Sequence, residues 1–545
     1  MLGHWRADVP EGYFEAEKQV KSMINSAQSY ALLRRGQRWG LAPWEPSLLC
    51  SSPPEGSEQA TSVQGIVPAL SLPALGDPSF CETYRVSAPY VSGGMANGIA
   101  SVALVRACSS AGLLSFFGAA GLSLEEIEAA LHALSTLDTP FGMNLIHSPA
   151  NPQLEHRTVD LYLRHGIHTI EAAAYMKLTL PLVRFRVAGI QLDAQGRIHT
   201  PNRVLGKVSR VEVARQFWSP PPTNMLKQLV QEGFLSEEQA RWAEHIPVAE
   251  DLTAEADSGG HTDNRPALTL FPTLRALCNE MQQQYTHCTL RLGAAGGIGT
   301  PHAAAAMFAM GAAYIVVGSV HQSCVESGSS DSVRQMLAQM QQSEVTMAPA
   351  ADMFEMGVKV QVLKRGTMFA MRASKLYELY RQYPSLEALP SHEQNTLEKQ
   401  IFQAPLEHIW QQTQHYFLSQ DPAQVERAQT DDKHKMALVF RWYLGLSSRW
   451  ANRGEPQRKL DYQIWCGPAM SAFNAWVKDS HLDPPQQRRI VDVAYNLLWG
   501  AAYHTRLQHV RQQGAGAWAD QFPDWKPQPY DQLMSWNHRT PEGLS

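Results

Sequence analysis

Eight short apolar runs follow one another between residues 86 and 319, and amphipathic helical stretches separate most of them. Continuous apolar runs are typical of parallel strands that are buried on both faces of their sheet. An open doubly wound sheet rarely has eight consecutive repeats, whereas eight is the strand number of a closed β/α barrel. The pattern therefore predicts an α/β fold, a (β/α)8 TIM barrel, with its strands in VSAPYV, LLSFFGAA, FGMNLI, HTIEAAA, RVLGKVS, LTAEAD, LRLGAAGG and YIVVGS.

Outside these runs the periodicity is helical. Residues 15–35 have helical spacing, and a helical hairpin is expected between the fifth and sixth strands, where Ser236 begins its second helix. Several long amphipathic stretches near the end predict helices that pack over the barrel mouth. The expected organisation is an N-terminal helical or irregular extension (1–80), the barrel (81–365) with a helical insertion at about 212–250, a C-terminal helical domain (366–512) and an irregular tail (513–545).

Composition excludes several classes of protein. Of the 545 residues, 44% are hydrophobic and 18% are charged, which is ordinary for a globular enzyme. The net charge of -5 opposes a broad nucleic-acid-binding face. The seven cysteines form no CxxC pair, so neither a disulfide framework nor a metal site is indicated. Without a signal-like N-terminus or a membrane-length apolar run, the sequence predicts a cytoplasmic protein that contacts no membrane.

Glycines follow the last two predicted strands, as Gly296-Gly297 and as Gly318 before Ser319. Between them, Thr300 is expected to cap a helix. Bare backbone N–H groups bind anions well, and barrels often hold phosphate after strands seven and eight. The stretch therefore predicts a phosphate site, with tight turns as the alternative role of these glycines. The spacing is not GxGxxG, which disfavours a Rossmann site.

A histidine, His261, follows Gly259 and Gly260 at the end of the sixth predicted strand. At the barrel mouth an imidazole can act as a general acid or base, or donate a hydrogen bond to a substrate carbonyl. The alternative is a structural histidine held by Asp257 or Asp263.

Two further strand ends carry candidate ligand contacts. Gly94 and Met95 suit a flat ring that lies against the backbone. Asn144 is a polar amide at the end of an apolar strand, where it either binds a ring edge or has a structural role.

A lysine, Lys207, lies within a run that is expected to be buried. A buried lysine needs a partner, which is either a ring or phosphate of a ligand or a barrel carboxylate such as Glu171 or Glu255. Cys324 follows the last strand, and an inert thiol is expected there.

The order of these motifs resembles the nitronate monooxygenase (2-nitropropane dioxygenase-like) and FMN-dependent enoyl reductase family over about 86–366. SGGMANG, PFGMN, EADSGGH, AAGGIGTPHAAAAMFAMGA and VVGS carry the resemblance. It implies a barrel with non-covalent FMN, in which His261 matches the histidine that acts as a base in nitronate oxidisers. The implied FMN contacts are Gly296, Gly297, Gly318 and Ser319 at the phosphate, Gly259 and Gly260 close by, and Gly94, Met95 and Asn144 along the ring.

Longer strings, such as LTAEADSGGHTDNRP and MALVFRWYLGLSSRWAN, resemble the PfaD-type trans-acting enoyl reductases of polyunsaturated fatty acid and polyketide synthases. This resemblance implies reduction of a 2-enoyl thioester on an acyl carrier protein by NADPH through FMN, with His261 or a nearby water as proton donor. Carrier proteins are acidic, so a basic surface would help to dock them. One segment offers such a surface, or alternatively an ordinary solvated helix face, with Lys359, Lys364, Arg365, Arg372 and Lys375.

Two other functions remain open on the sequence alone, nitronate oxidation with O₂ and a non-catalytic synthase subunit. The sequence also leaves open the acyl chain, the choice between NADPH and NADH, the fatty acid or polyketide pathway, and a homodimer.

Overall fold

The computed structural model describes residues 1–6, 8–24, 27–53, 60–149 and 151–537 of the chain. Its strands, in chain order, are β1 (Gly3–Trp5), β2 (Tyr30–Arg35), β3 (Arg38–Pro43), β4 (Leu49–Cys50), β5 (Ser62–Val67), β6 (Tyr90–Ser92), β7 (Leu114–Phe117), β8 (Gly142–Ile146), β9 (Thr169–Ala173), β10 (Gln191–Leu192), β11 (Ile198–His199), β12 (Arg203–Val208), β13 (Asp251–Glu255), β14 (Gly260–His261), β15 (Arg291–Ala295), β16 (Ile315–Val317), β17 (Val345–Pro349) and β18 (Lys359–Leu363).

The α-helices, in the same order, are α1 (Ala16–Ile24), α2 (Pro78–Tyr84), α3 (Val102–Ser110), α4 (Leu124–Leu134), α5 (Pro152–Arg164), α6 (Leu180–Val187), α7 (Val211–Phe217), α8 (Thr223–Gln231), α9 (Glu237–Ala243), α10 (Ala267–Gln282), α11 (Pro301–Ala309), α12 (Asp331–Ala338), α13 (Phe369–Gln382), α14 (Ser391–Thr396), α15 (Leu406–Gln420), α16 (Pro422–Ala428), α17 (Asp432–Arg453), α18 (Ala469–Val477), α19 (Ile490–Val510), α20 (Gly516–Ala519) and α21 (Tyr530–Asn537). Among the described residues, none of the helices has the length and apolar character needed to cross a membrane.

Eight parallel strands close into a barrel in the order β6-β7-β8-β9-β12-β13-β15-β16. Each of the eight apolar runs overlaps one of these strands, so the predicted TIM barrel is confirmed. Between β12 and β13 lie α8 and α9, which contact each other and correspond to the expected helical hairpin. The side chain of Ser236 caps α9 by accepting a hydrogen bond from the N–H of Gln239.

The N-terminal region differs from the prediction of a helical or irregular extension. Its strands form an antiparallel sheet in the order β3-β2-β5-β1-β4, and α1 ends before β2 begins. Tyr30 and Leu32 of β2 face the barrel core, while Ala31 and Leu33 face a separate N-terminal core. Because both faces of β2 are buried, its sequence is a continuous apolar run that extends the helical pattern of α1.

The C-terminal region also differs from the single helical domain that was expected over 366–512. Residues 345–453, called the lid below, begin with the strand pair β17–β18, which lies inside the range expected for the barrel (81–365). Most of the lid packs around a core of its own. The later helices α18 and α19 join the barrel core instead, and α19 contacts α11, α1 and α3. The expected irregular tail contains α20 and α21, and residues 538–545 lie outside the described residues.

Candidate active site

A cavity of about 720 Å³ lies between the carboxyl ends of the barrel strands and the lid helices α15, α16 and α17. This volume is in the range of sites that bind small molecules. The topology brings all the sequence-predicted site residues to its wall, namely Gly94, Met95, Asn144, Lys207, Gly259, Gly260, His261, Gly296, Gly297, Gly318 and Ser319.

The glycine loops after β15 and β16 present bare backbone to this cavity. Gly296 and Gly297 have φ values of 90° and 74°, a left-handed conformation that favours glycine. A Cβ atom on Gly297 or Gly318 would have no heavy atom within 4 Å. Within the described part of the chain, the backbone N–H groups of Gly297, Gly318 and Ser319 donate no hydrogen bond to protein. These donors and the open space beside them suit an anion such as a phosphate.

On another barrel strand, β12, Lys207 lines the cavity and lies between two carboxylates. Its Nζ is 3.2 Å from Oε1 of Glu255 and 3.8 Å from Oε2 of Glu171. Burial alone would lower the pKa of Lys207, but the two carboxylates outweigh it and raise that pKa, so the ammonium stays charged. Glu171 is completely buried, and burial raises its pKa in spite of the lysine. Both carboxylates named from the sequence as alternative partners are therefore in contact with Lys207.

Glu171 also organises the end of β6. Its Oε2 accepts a hydrogen bond of 2.9 Å from the N–H of Gly94, and its carbonyl oxygen accepts one of 3.3 Å from Nδ2 of Asn144. A Cβ atom on Gly94 would lie 2.8 Å from both the Cβ of Asn144 and Oε2 of Glu171. Close packing therefore requires glycine at position 94, and the amide nitrogen of Asn144 is already bound to protein. Met95, which is partly buried, also lines the cavity.

His261 lies at the interface between the barrel and the lid. It belongs to β14, which pairs with β18, and its Nε2 is 3.0 Å from Oδ1 of Asp352 in the turn after β17. Burial would lower the pKa of His261, but Asp352 outweighs that effect and raises it. Its side chain is still 32% exposed, and it lines the cavity.

The alternative interpretation, in which Asp257 or Asp263 holds His261 as a structural histidine, is wrong about the partner. Asp257 accepts a hydrogen bond of 3.0 Å from Gln361, and Asp263 accepts hydrogen bonds from Arg210 and Ser209. The hydrogen bonds that Asp263 accepts, above all the one from Arg210, lower its pKa to about 2. Asp352 carried no sequence signal because it lies 91 positions after the histidine.

Two nucleophilic or titratable groups near the last barrel strand are inert. Burial raises the pKa of the Cys324 thiol well above its usual range, as expected for an unreactive cysteine. His321, which the sequence did not single out, is buried between Tyr90 at 2.6 Å and Ser92 at 3.0 Å. Burial lowers the pKa of His321 to about 3, so this imidazole is neutral and structural.

The five basic residues expected to form a carrier-docking face do not form a positive surface around the cavity. Three of them are paired with carboxylates, Arg365 with Glu344, Arg372 with Asp461 and Lys375 with Glu393. None of the five lines the cavity, and the paired charges cancel. Lys359 and Lys364 form no ion pair within the described part of the chain, and a docking face there stays a prediction.

Two family models match the chain. The model for nitronate monooxygenase matches residues 81–378, which include the barrel, and the model for the inserted helical domain of [acyl-carrier-protein] S-malonyltransferase matches residues 383–462. The second segment contains α15, α16 and α17, the helices that close the cavity.

Similar proteins extend the match over most of the chain. A polyunsaturated fatty acid synthase subunit of Thraustochytrium sp. is 46% identical over 84% of this chain and 31% of its own length. Polyketide biosynthesis protein PksE of Bacillus subtilis is 41% identical over 81% of this chain and 58% of its own length. The chain thus spans only about a third of the length of the synthase subunit and somewhat over half of the length of PksE.

One solved structure matches the fold of this chain over nearly the whole length of the solved domain. The enoyl reductase domain of MlnA, from the macrolactin biosynthesis cluster of Bacillus amyloliquefaciens, superposes with a TM-score of 0.76 at 36% identity. The match covers 80% of this chain and 99% of that domain.

Proposed function

This chain belongs to the nitronate monooxygenase family, and from that premise we propose that it is an FMN-dependent enoyl reductase that uses NADPH. The observation that carries the proposal is the match to the enoyl reductase domain of MlnA, which spans 99% of that domain. Its substrates would be 2-enoyl thioesters on the acyl carrier protein of a polyunsaturated fatty acid or polyketide synthase, on which it would act in trans.

The residues around the cavity fit FMN. The unbonded N–H groups of Gly297, Gly318 and Ser319, with open space beside them, match the needs of its phosphate. The charged Lys207 would supply a cation for the polar edge of the ring, and Met95 would be an apolar contact. When bound, FMN would supply the redox chemistry, accepting reducing equivalents from NADPH and delivering them to the double bond.

The chain itself would supply position and a proton. The lid helices line one side of the cavity and would limit the access of water to it. His261 would donate the proton to the α-carbon of the thioester, because it lines the cavity and because its hydrogen bond with Asp352 raises the pKa of its imidazole.

The carrier-bound form of the substrate is proposed from the relatives. Two of them are a fatty acid synthase subunit and a polyketide biosynthesis protein. The lid also resembles a helical domain of an enzyme that acts on acyl carrier protein.

Steady-state assays test this proposal. The purified protein, supplied with FMN, is given NADPH with crotonyl carrier protein or, in a parallel reaction, with a nitronate and O₂. We expect NADPH consumption matched by butyryl thioester in mass spectrometry, and loss of turnover in His261→Ala with FMN still bound. Oxidation of the nitronate without thioester reduction would overturn the proposal.

A further inference from the structure

One position of the longest lid helix has no side chain where the helix crosses the cavity. Gly445 lies in the middle of α17, is exposed and lines the cavity. It does not have a positive φ, and a Cβ atom there would have no heavy atom within 4 Å. Glycine is among the least favourable residues in a helix interior, and neither the local backbone nor packing requires it here.

On either side of Gly445, α17 is anchored by polar residues. Arg441 donates a hydrogen bond of 3.3 Å to Glu355. Ser448 accepts one of 2.8 Å from Asn97, and Arg449 donates one of 3.0 Å to the carbonyl of Gly121 at the barrel mouth. The helix is therefore fixed against the barrel one turn beyond Gly445, and at Gly445 itself a gap stays open.

Apolar side chains line the same cavity, in and next to the lid, together with Arg441 and Arg449 of α17. Phe417 of α15, Trp442 of α17 and Trp465 are each partly buried, line the cavity and pack against the lid core from behind. Met353 of the lid turn also lines the cavity. These side chains offer aromatic and aliphatic surface to the cavity, whereas the backbone N–H groups that suit a phosphate lie on the barrel loops. Such a surface stabilises a hydrocarbon rather than a charged or hydrogen-bonding group.

We propose that Gly445 sets the acyl-chain specificity of the enzyme, by leaving a passage in which the hydrocarbon of the substrate lies along Phe417, Trp442 and Trp465. The inference rests on the proposed function and deepens it, since it assigns enoyl thioesters with medium or long acyl chains as the substrate class. A short crotonyl group would not reach this passage.

Gly445→Leu tests the inference, because leucine fills the passage and is a better helix former than glycine. With pantetheine thioesters and NADPH, we expect wild type to prefer 2-dodecenoyl over crotonyl. In Gly445→Leu, kcat/KM for 2-dodecenoyl should fall about tenfold or more, which corresponds to the lost burial of about two methylenes. The value for crotonyl should stay within about twofold of wild type.

Gly516→Leu is the matched control, since Gly516 is also helical with open space around its Cβ position but does not line the cavity. It should leave both substrates unchanged. An equal loss for both substrates in Gly445→Leu would place another group, such as the pantetheine arm, in the passage and overturn the inference. No loss for either would overturn it as well. If wild type reduces neither thioester, the proposed function itself fails.

A binding measurement separates chain recognition from chemistry. Isothermal titration of the FMN-loaded protein with dodecanoyl pantetheine, a saturated thioester that cannot be reduced, should give an affinity about tenfold weaker for Gly445→Leu than for wild type. Equal affinities would contradict the inference even if the activities differ.

Discussion

Replacing Lys207 by methionine removes the cation that lies between two carboxylates and leaves Glu171 without a cationic partner in the barrel interior. The Nζ of Lys207 is 3.8 Å from Glu171, whose side chain is 0% exposed, and 3.2 Å from Glu255, which is 21% exposed. At an effective dielectric constant of about 20, a charge pair at this separation is worth about 4 kcal/mol. Removal of one partner of a buried pair typically costs about 3–5 kcal/mol. Since Glu255 retains some contact with water, we expect Lys207→Met to lose about 3 kcal/mol of unfolding free energy at pH 8.

The pH dependence follows from the direction of each pKa shift. The pKa of Lys207 is raised from its ordinary value of 10.5, so the lysine is charged across the acidic and neutral range, and its contribution is lost only at strongly alkaline pH. Burial raises the pKa of Glu171 from 4.5, and loss of Lys207 raises it further. A carboxyl with a raised pKa destabilises the fold above its unfolded pKa. The destabilisation by Lys207→Met should therefore shrink as the pH falls from 8 towards 5.

Urea denaturation followed by circular dichroism at pH 8 and pH 5 measures this effect. The double variant Lys207→Met/Glu171→Gln is the control, because glutamine keeps an oxygen for the N–H of Gly94 and carries no charge. It should recover most of the loss at pH 8. A loss that is equal at both pH values, or that the second substitution does not relieve, would refute the assignment to an isolated carboxylate.

Two further predictions concern the cavity. Asp352→Asn removes the carboxylate that opposes the effect of burial on His261, so the pKa of the imidazole should fall. Because the proton donor is active below its pKa, the alkaline decline of kcat/KM should move to lower pH, and an unchanged pH profile would argue against the pairing. Gly318→Leu places a side chain in the open space beside the unbonded N–H groups. Fluorescence titration should show FMN affinity weakened by about tenfold or more, whereas unchanged affinity would place the phosphate elsewhere.

The barrel and the members of its site could be predicted because both depend on local signals. Each parallel strand is buried on two faces and is therefore an apolar run, and the glycines at strand ends mark where the backbone is exposed to a ligand. Closure of the barrel then brings Gly94, Lys207, His261 and Gly297 to one cavity, although they are far apart in the sequence.

The remaining features depend on contacts that no local pattern records. β18 alternates in KVQVL but lies between segments of helical character, and it becomes a strand because it pairs with both β14 and β17. Asp352 reaches His261 only through that same sheet. The charges of Arg372 and Lys375 suggested a docking face, and only the folded lid reveals that Asp461 and Glu393 neutralise them.

We propose that this chain passes reducing equivalents from NADPH through FMN to an enoyl thioester. The most direct measurement is anaerobic spectrophotometry of the purified, FMN-loaded protein. NADPH should bleach the flavin absorbance, and crotonyl carrier protein should then restore the oxidised spectrum with one butyryl thioester formed per flavin. A bleached flavin that only O₂ or a nitronate reoxidises, or a protein that binds no flavin, would contradict the account.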